Sequence, residues 1–270
     1  MVRVRPACIL LFFTGIAACG AQNADINAAG STIETRFPVP SGFSRVDVEK
    51  GSFPEYLRRL PLKPYGAKVH YYDGRVKPND VYVSVVDMEV GAKDLLQCAD
   101  AVMKLRAEYF YARKEYDRIQ YHIGNGALMK FSKWAEGYRP RVSGSSVTWT
   151  TTGRTGYGRA VFEEFLIFIY SWAGTLSLSA EMTGKDERDL AIGDVYIKGG
   201  SPGHVVIVVD LAVDRKTGEK IFLLAQSYMP AQEIQVLKSF EPISPWYRPA
   251  PGEEFVTPEW RFAAGSVKTF

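Results

Sequence analysis

Cysteine and histidine are scarce in this 270-residue chain, with three of each. No two cysteines form a C-x-x-C pair. No H-E-x-x-H, calcium loop or Gly-rich loop ending in Lys-Ser/Thr occurs either, so no metal and no cofactor are expected. An excess of one charge is also missing: 33 basic and 30 acidic residues leave a formal net charge of +3, and a polyanion such as nucleic acid is not expected as a partner. The apolar run from Phe165 to Leu178 spans 14 residues, short of the roughly 20 that a membrane helix needs. Internal repeats are absent. With 46% hydrophobic, 13% aromatic and 23% charged residues, disorder, collagen and coiled coil are excluded and a globular body is left.

What is present begins with an export pattern. Arg3 and Arg5 precede the apolar run CILLFFTGIAA, and Cys19 follows Ile16-Ala17-Ala18. This is the charged start, short apolar stretch and small-residue site of a secreted chain. The segment resembles the lipobox of bacterial lipoproteins, in which the cysteine is lipidated and becomes the first mature residue. That resemblance implies residues 1–18 as signal peptide, lipidation at Cys19 and a lipid anchor in the bacterial cell envelope, with Gly20 leaning toward the outer membrane, facing the periplasm or the surface. An ordinary secretory signal cleaved near Ala21 is the alternative. Removal of Arg3 and Arg5 leaves 31 basic against 30 acidic residues, so no basic surface remains. Cys8 leaves with the signal, and Cys98 is the one thiol of the folded body without a lipid or a disulfide partner.

Residues 19–36 are small and polar without hydrophobic period and read as a flexible tether, with a single α+β domain over 37–270. Ser52 before Phe53-Pro54, with Glu55 three residues on, predicts a short capped helix. VYVSVV from Val81 predicts a strand. Asp94 is an N-cap candidate for the longest helix, with Leu95, Cys98, Val102, Leu105 and Phe110 on one side. Residues 120–190 read as a less regular, largely helical insertion ending in a buried helix or helix pair. From Gly193 the strands DVYIK, HVVIVVDLAV, EKIFLLAQSY and EIQVLK predict an antiparallel meander. The Pro- and aromatic-rich tail is expected to wrap irregularly over the surface. Helices first and a meander last make the class α+β.

The chemistry-bearing residues converge on one set. A nucleophilic thiol is activated early in a helix and beside an imidazole, which together lower its pKa. Cys98 lies just past the expected first turn. His204 opens the strand HVVIVVDL after the turn GGSPG, and Gln226 in LLAQSY is placed to hold the ring across the sheet. The expectation is a Cys98 sulfur within about 4 Å of a His204 nitrogen, with Gln226 on the other. Each residue also has a structural reading, since Cys98 fits the helix's apolar side. His70 and His122 sit beside tyrosines and read as structural; Asp194 and Asp210 flank strands and read as turn closers. Gly199-Gly-Ser-Pro-Gly203 fits G-x-S-x-G, but Pro202 has no N–H for an oxyanion hole, so Ser201 is a turn residue.

GDVYIKGGSPGHVVIVVDL resembles the Gly-Asp and Gly-His-Val strands of NlpC-type papain-like cysteine peptidases and amidases. The resemblance implies a papain-like, NlpC-like fold with Cys98 as nucleophile, His204 as base and Gln226 as orienter. Two features differ from that superfamily: about 106 residues lie between Cys98 and His204, and Cys98 sits in QCADA. LPLKPYG, VHYYDGR, QCADAVMKLRAEY, GDVYIKGGSPGH, LLAQSYMPAQEI and SPWY are similar to the blocks of an uncharacterised bacterial lipoprotein family, domain of unknown function 4846. Two function classes follow: an anchored thiol hydrolase acting on an amide bond of cell-wall peptide or another envelope substrate, and a noncatalytic envelope lipoprotein binding glycan or protein through Trp134, Tyr138, Trp149, Trp246, Tyr247 and Trp260.

Overall fold

A computed structural model describes residues 26–270; the signal segment with Cys8, and Cys19, lie outside the described residues. The described helices are α1 (Ile33–Arg36), α2 (Phe53–Arg58), α3 (Cys98–Ala112), α4 (Phe131–Ala135), α5 (Arg159–Trp172) and α6 (Thr175–Glu181). The strands are β1 (Phe43–Arg45), β2 (Tyr82–Val85), β3 (Gln120–His122), β4 (Leu128–Lys130), β5 (Arg139–Ser143), β6 (Ser146–Thr150), β7 (Thr183–Gly184), β8 (Val195–Lys198), β9 (His204–Asp214), β10 (Lys220–Gln226), β11 (Gln235–Leu237), β12 (Phe255–Val256), β13 (Arg261–Phe262) and β14 (Val267–Thr269).

Helices and an antiparallel sheet are thus combined, with strand order β2-β11-β10-β9-β8-β14-β7 and β1 paired to the far end of β9. β9 is the spine. Its first nine residues are all buried, which is why HVVIVVDLA is a nearly unbroken apolar run rather than an alternation of apolar and polar positions. Helix α3 packs on β9. On β8 and β10, aromatic residues gather: Tyr196 stacks on Phe255 at 4.0 Å, and Phe222 lies 5.9 Å from Tyr247.

Those contacts correct the expectation for the tail. Instead of wrapping irregularly, it supplies the hairpin β12–β13 and the strand β14, which pairs with β8. Trp246 and Tyr247, just ahead of that hairpin, are buried, and Trp134 on α4 is buried against Phe165 of α5. Three of the six aromatics considered as a binding surface therefore present no surface.

Two further expectations shift. The tether does not run to residue 36: Thr32 caps α1, Ile33 and Arg36 are buried, and Arg36 donates to the Gly30 carbonyl and to Ser84. The insertion is not simply helical, since the hairpins β3–β4 and β5–β6 alternate with α4 and α5. Its last helices form a pair bent by 102° at Ala173-Gly174, and no single described helix is long and apolar enough to cross a membrane. Helix α2 forms as expected, with Ser52 accepting from the Glu55 N–H.

Asp194 closes a turn, accepting from the Ala191 N–H at 2.7 Å and from Lys185. Asp210 does not. It lies inside β9 at a register shift opposite Leu223-Leu224, fully buried, with one oxygen on Arg45 and the other on Arg58, each at 2.7 Å. One carboxylate ties β1 and α2 to the spine strand, and two guanidinium groups compensate its burial.

Candidate functional site

Helix α3 starts at Cys98 itself, so the thiol stands at the first helical position rather than past the first turn. Asp94, the expected cap, instead accepts from the Ala231 N–H and the Gln97 side chain. The capping carboxylate is Asp100, which reaches back to the Gln97 N–H at 2.9 Å. The backbone N–H groups of Cys98, Ala99 and Val205 face the sulfur. Val205 is the neighbour of His204, so the helix start and the mouth of β9 meet at the thiol.

The sheet register brings the other two residues together. Ala225 lies opposite Ile207, which sets Gln226 one step further on the face shared by Val206 and His204. The His204 Nε2 and Gln226 Oε1 are 2.7 Å apart. Gln226 is held in turn, because its amide N–H donates to Glu259 Oε2 at 2.7 Å. That carboxylate oxygen also accepts from Lys77 Nζ at 2.6 Å. The consequence is a defined tautomer: with its NH₂ committed to Glu259, Gln226 presents its oxygen to the imidazole, so His204 Nε2 carries the proton and Nδ1 keeps its lone pair. Glu259 and Lys77 were not legible in the sequence. Tyr228, Trp260 and Phe262 enclose the ring at 4.8, 5.2 and 5.9 Å.

The electrostatics differ from the expected lowering of the thiol pKa. Burial, with a contribution from Asp100, pushes the Cys98 thiol up to about 11. Burial moves His204 down to about 4, against the opposing pull of Gln226. Thiol and imidazole are therefore both neutral around pH 7, and no hydrogen bond links their side chains among the described residues. The helix N-terminus does not overcome desolvation here, because Cys98 is only 7% exposed and has lost nearly all its water. Burial also raises Asp100, two residues on, to about 7.

A cavity of about 270 Å³ opens onto the thiol, walled by Cys98, Asp100, Tyr170, Thr175, Gly203 and Met229. His204, 1% exposed, lies behind this wall. The GGSPG turn sits against α6, where Thr175 Oγ1 donates to the Gly200 carbonyl at 3.0 Å. At Gly203 an added Cβ would fall 2.2 Å from Thr175 Oγ1 and 2.4 Å from the Gly200 oxygen, so only glycine permits this approach. Ser201 is a turn residue of that wall. His70 and His122 lie elsewhere, each half-exposed and contacting a single carboxylate, Glu233 and Glu181. No group of three or more potential metal ligands occurs among the described residues.

No curated protein and no solved structure matches the chain. A family pattern does match, over residues 33–269, and so takes in Cys98, His204, Gln226 and Glu259. By that match the chain belongs to the family described as a domain of unknown function (4846).

Proposed function

We propose that the protein is a membrane-anchored thiol hydrolase of papain-like, NlpC-like type that cleaves an amide bond in cell-wall peptide or another envelope substrate. The observation that carries this reading is the polar chain Lys77–Glu259–Gln226–His204, which fixes the imidazole tautomer with its basic nitrogen free. A merely packed cysteine has no use for such a chain on the neighbouring strand.

The two neutral groups act by general-base catalysis. As Cys98 Sγ attacks the amide carbonyl carbon, its proton passes to His204 Nδ1, the C–S bond forms and the carbonyl electron pair moves onto oxygen. The first N–H groups of α3, which have no carbonyl partner within the helix, are the donors for that oxyanion. When the C–N bond breaks, Nδ1 returns the proton to the leaving amine. Water then hydrolyses the thioester, giving its proton to Nδ1 and thence to the sulfur.

Incubation with cell-wall peptides, read by mass spectrometry, tests this. Cleavage should vanish in Cys98→Ala and fall by about 10²-fold or more in His204→Ala, with unchanged thermal unfolding as the control for folding. Glu259→Gln, which frees Gln226 to turn over, should cost roughly 10- to 100-fold. If the wild-type chain neither cleaves these peptides nor is labelled at Cys98 by a peptidyl electrophile at pH 7, the hydrolase reading is wrong.

Anchoring rests on the resemblance of the segment before Cys19 to a lipobox. The full chain expressed in a bacterium should sediment with membranes, and Cys19→Ala should release it or leave it unprocessed. Recovery of the unaltered chain wholly in the soluble periplasmic fraction would refute the anchor.

A further inference from the structure

A second cavity, of about 490 Å³, lies under the irregular segment 87–96, and Leu95 and Tyr170 belong to its wall as well as to that of the Cys98 cavity. Its apolar lining comes from Met88, Val90, Leu96, Leu166 and Ile167. Four of its charged groups pair with each other, since Lys104 meets Glu108 and Arg159 bridges Glu108 and Glu163, while Asp87, Glu89 and Lys93 line it as exposed side chains. At the Cys98 end of this path, two buried polar atoms have no partner, Asp100 Oδ1 and Tyr170 Oη. Asp100 is only 5% exposed, and its other oxygen is taken by the Gln97 N–H. A buried oxygen left without a donor costs stability unless a ligand supplies one.

We propose, resting on the hydrolase reading above, that the two cavities are one cleft for a peptide: a bulky apolar side chain fills the larger cavity while the adjoining amide reaches Cys98. The backbone N–H beside that side chain donates to Asp100 Oδ1, and the Tyr170 hydroxyl donates to a peptide carbonyl. An acceptor and a donor side by side match the two edges of a peptide unit, whereas an acyl chain has neither group to offer. Three cations face four carboxylates over the whole lining, so the cavity has no excess of positive charge for a phosphate or an anionic headgroup. A cavity of this size, mostly apolar and with a few convergent polar atoms, is of the kind that takes a large side chain with part of its backbone.

Two peptidyl chloromethyl ketones, differing only in Phe or Gly at the residue preceding the one that carries the ketone, test the proposal through the rate of Cys98 alkylation read by mass spectrometry. The Phe probe should react about tenfold faster or more, from burial of the ring. Ile167→Trp, at a half-exposed position on the cavity wall, should fill the space and erase the difference while leaving iodoacetamide labelling unchanged. N-methylation of the Phe nitrogen should slow labelling about tenfold in the wild type and have no effect in Asp100→Ala. Equal rates for the Phe and Gly probes, with both labelling Cys98, would overturn the subsite and spare the hydrolase reading. Labelling by iodoacetamide with no labelling by either peptidyl probe would overturn both.

Discussion

Iodoacetamide should find Cys98 nearly inert at pH 7, with a rate that climbs about tenfold per pH unit until it levels near pH 11. A thiol raised to about 11 is roughly one part in 10⁴ thiolate at pH 7, against about one part in 30 for an unperturbed thiol, so alkylation should run about 300-fold slower than in the unfolded chain. Burial is the main cause and Asp100 the second, so Asp100→Asn should move the whole profile to lower pH. A peptidyl electrophile seated in the cleft should escape this profile, because His204 takes the thiol proton as the bond forms and no free thiolate is needed. The two reagents therefore separate a resting pKa from reactivity with a bound ligand. A plateau in the iodoacetamide rate below pH 8 would mean that a thiolate–imidazolium pair exists at rest, and the general-base scheme would have to be replaced.

Asp100→Asn should also stabilise the fold at pH 8, by about 2–4 kcal/mol, and do so far less at pH 5. The folded state raises Asp100 to about 7, whereas the unfolded chain holds an aspartate near 4. Folding therefore binds that proton more tightly. Stability conferred by the neutral acid is complete below about pH 4 and is lost as pH rises through 7. His204 runs the other way. Lowered to about 4 from its ordinary 6.5, it favours the folded state above 6.5 and costs stability as pH falls toward 4. Between pH 4 and 7 the two slopes oppose, and the wild-type stability should change little with pH. Urea midpoints at pH 5 and 8 decide the matter: in Asp100→Asn the His204 slope should stand alone, with stability dropping toward acid. A substitution that destabilises equally at both pH values would show that Asp100 serves only as a helix cap.

The contact between His204 and Gln226 was legible because it depends on short-range rules. A histidine after a Gly-Pro turn and a glutamine on the next antiparallel strand are positions that register alone brings near one another, whereas the start of α3 at Cys98 fell one turn earlier than its period suggested. The same rules said nothing of Glu259, which reaches Gln226 from 33 residues further on, or of Lys77, which reaches Glu259 from 182 residues before it. Nor could they place β12, β13 and β14, whose two or three residues carry no period: the first two pair only with each other, and the third is held by β8 and β7. The thiol's electrostatic state was misread for a related reason. A helix N-terminus is visible in a sequence, but the desolvation that outweighs it depends on long-range packing around the sulfur. Asp100 escaped on both counts: the cap was expected at Asp94, and its unpaired second oxygen lies in a wall that Tyr170 and the α5–α6 bend complete.

The aromatic enclosure of His204 has a consequence for the order in which competence arises. Gln226 and His204 share a hairpin and come together as soon as β9 and β10 pair, yet the amide that orients the ring is itself unoriented until Glu259 arrives. Trp260 and Phe262, from the same late stretch, complete the ring's enclosure. The imidazole and the amide thus become neighbours before the proton has been assigned to its nitrogen. A chain cut short before residue 259 would lose both the carboxylate that orients Gln226 and the strand β14 that joins β8 to β7, so the tautomer is fixed only when almost the whole polypeptide is in place.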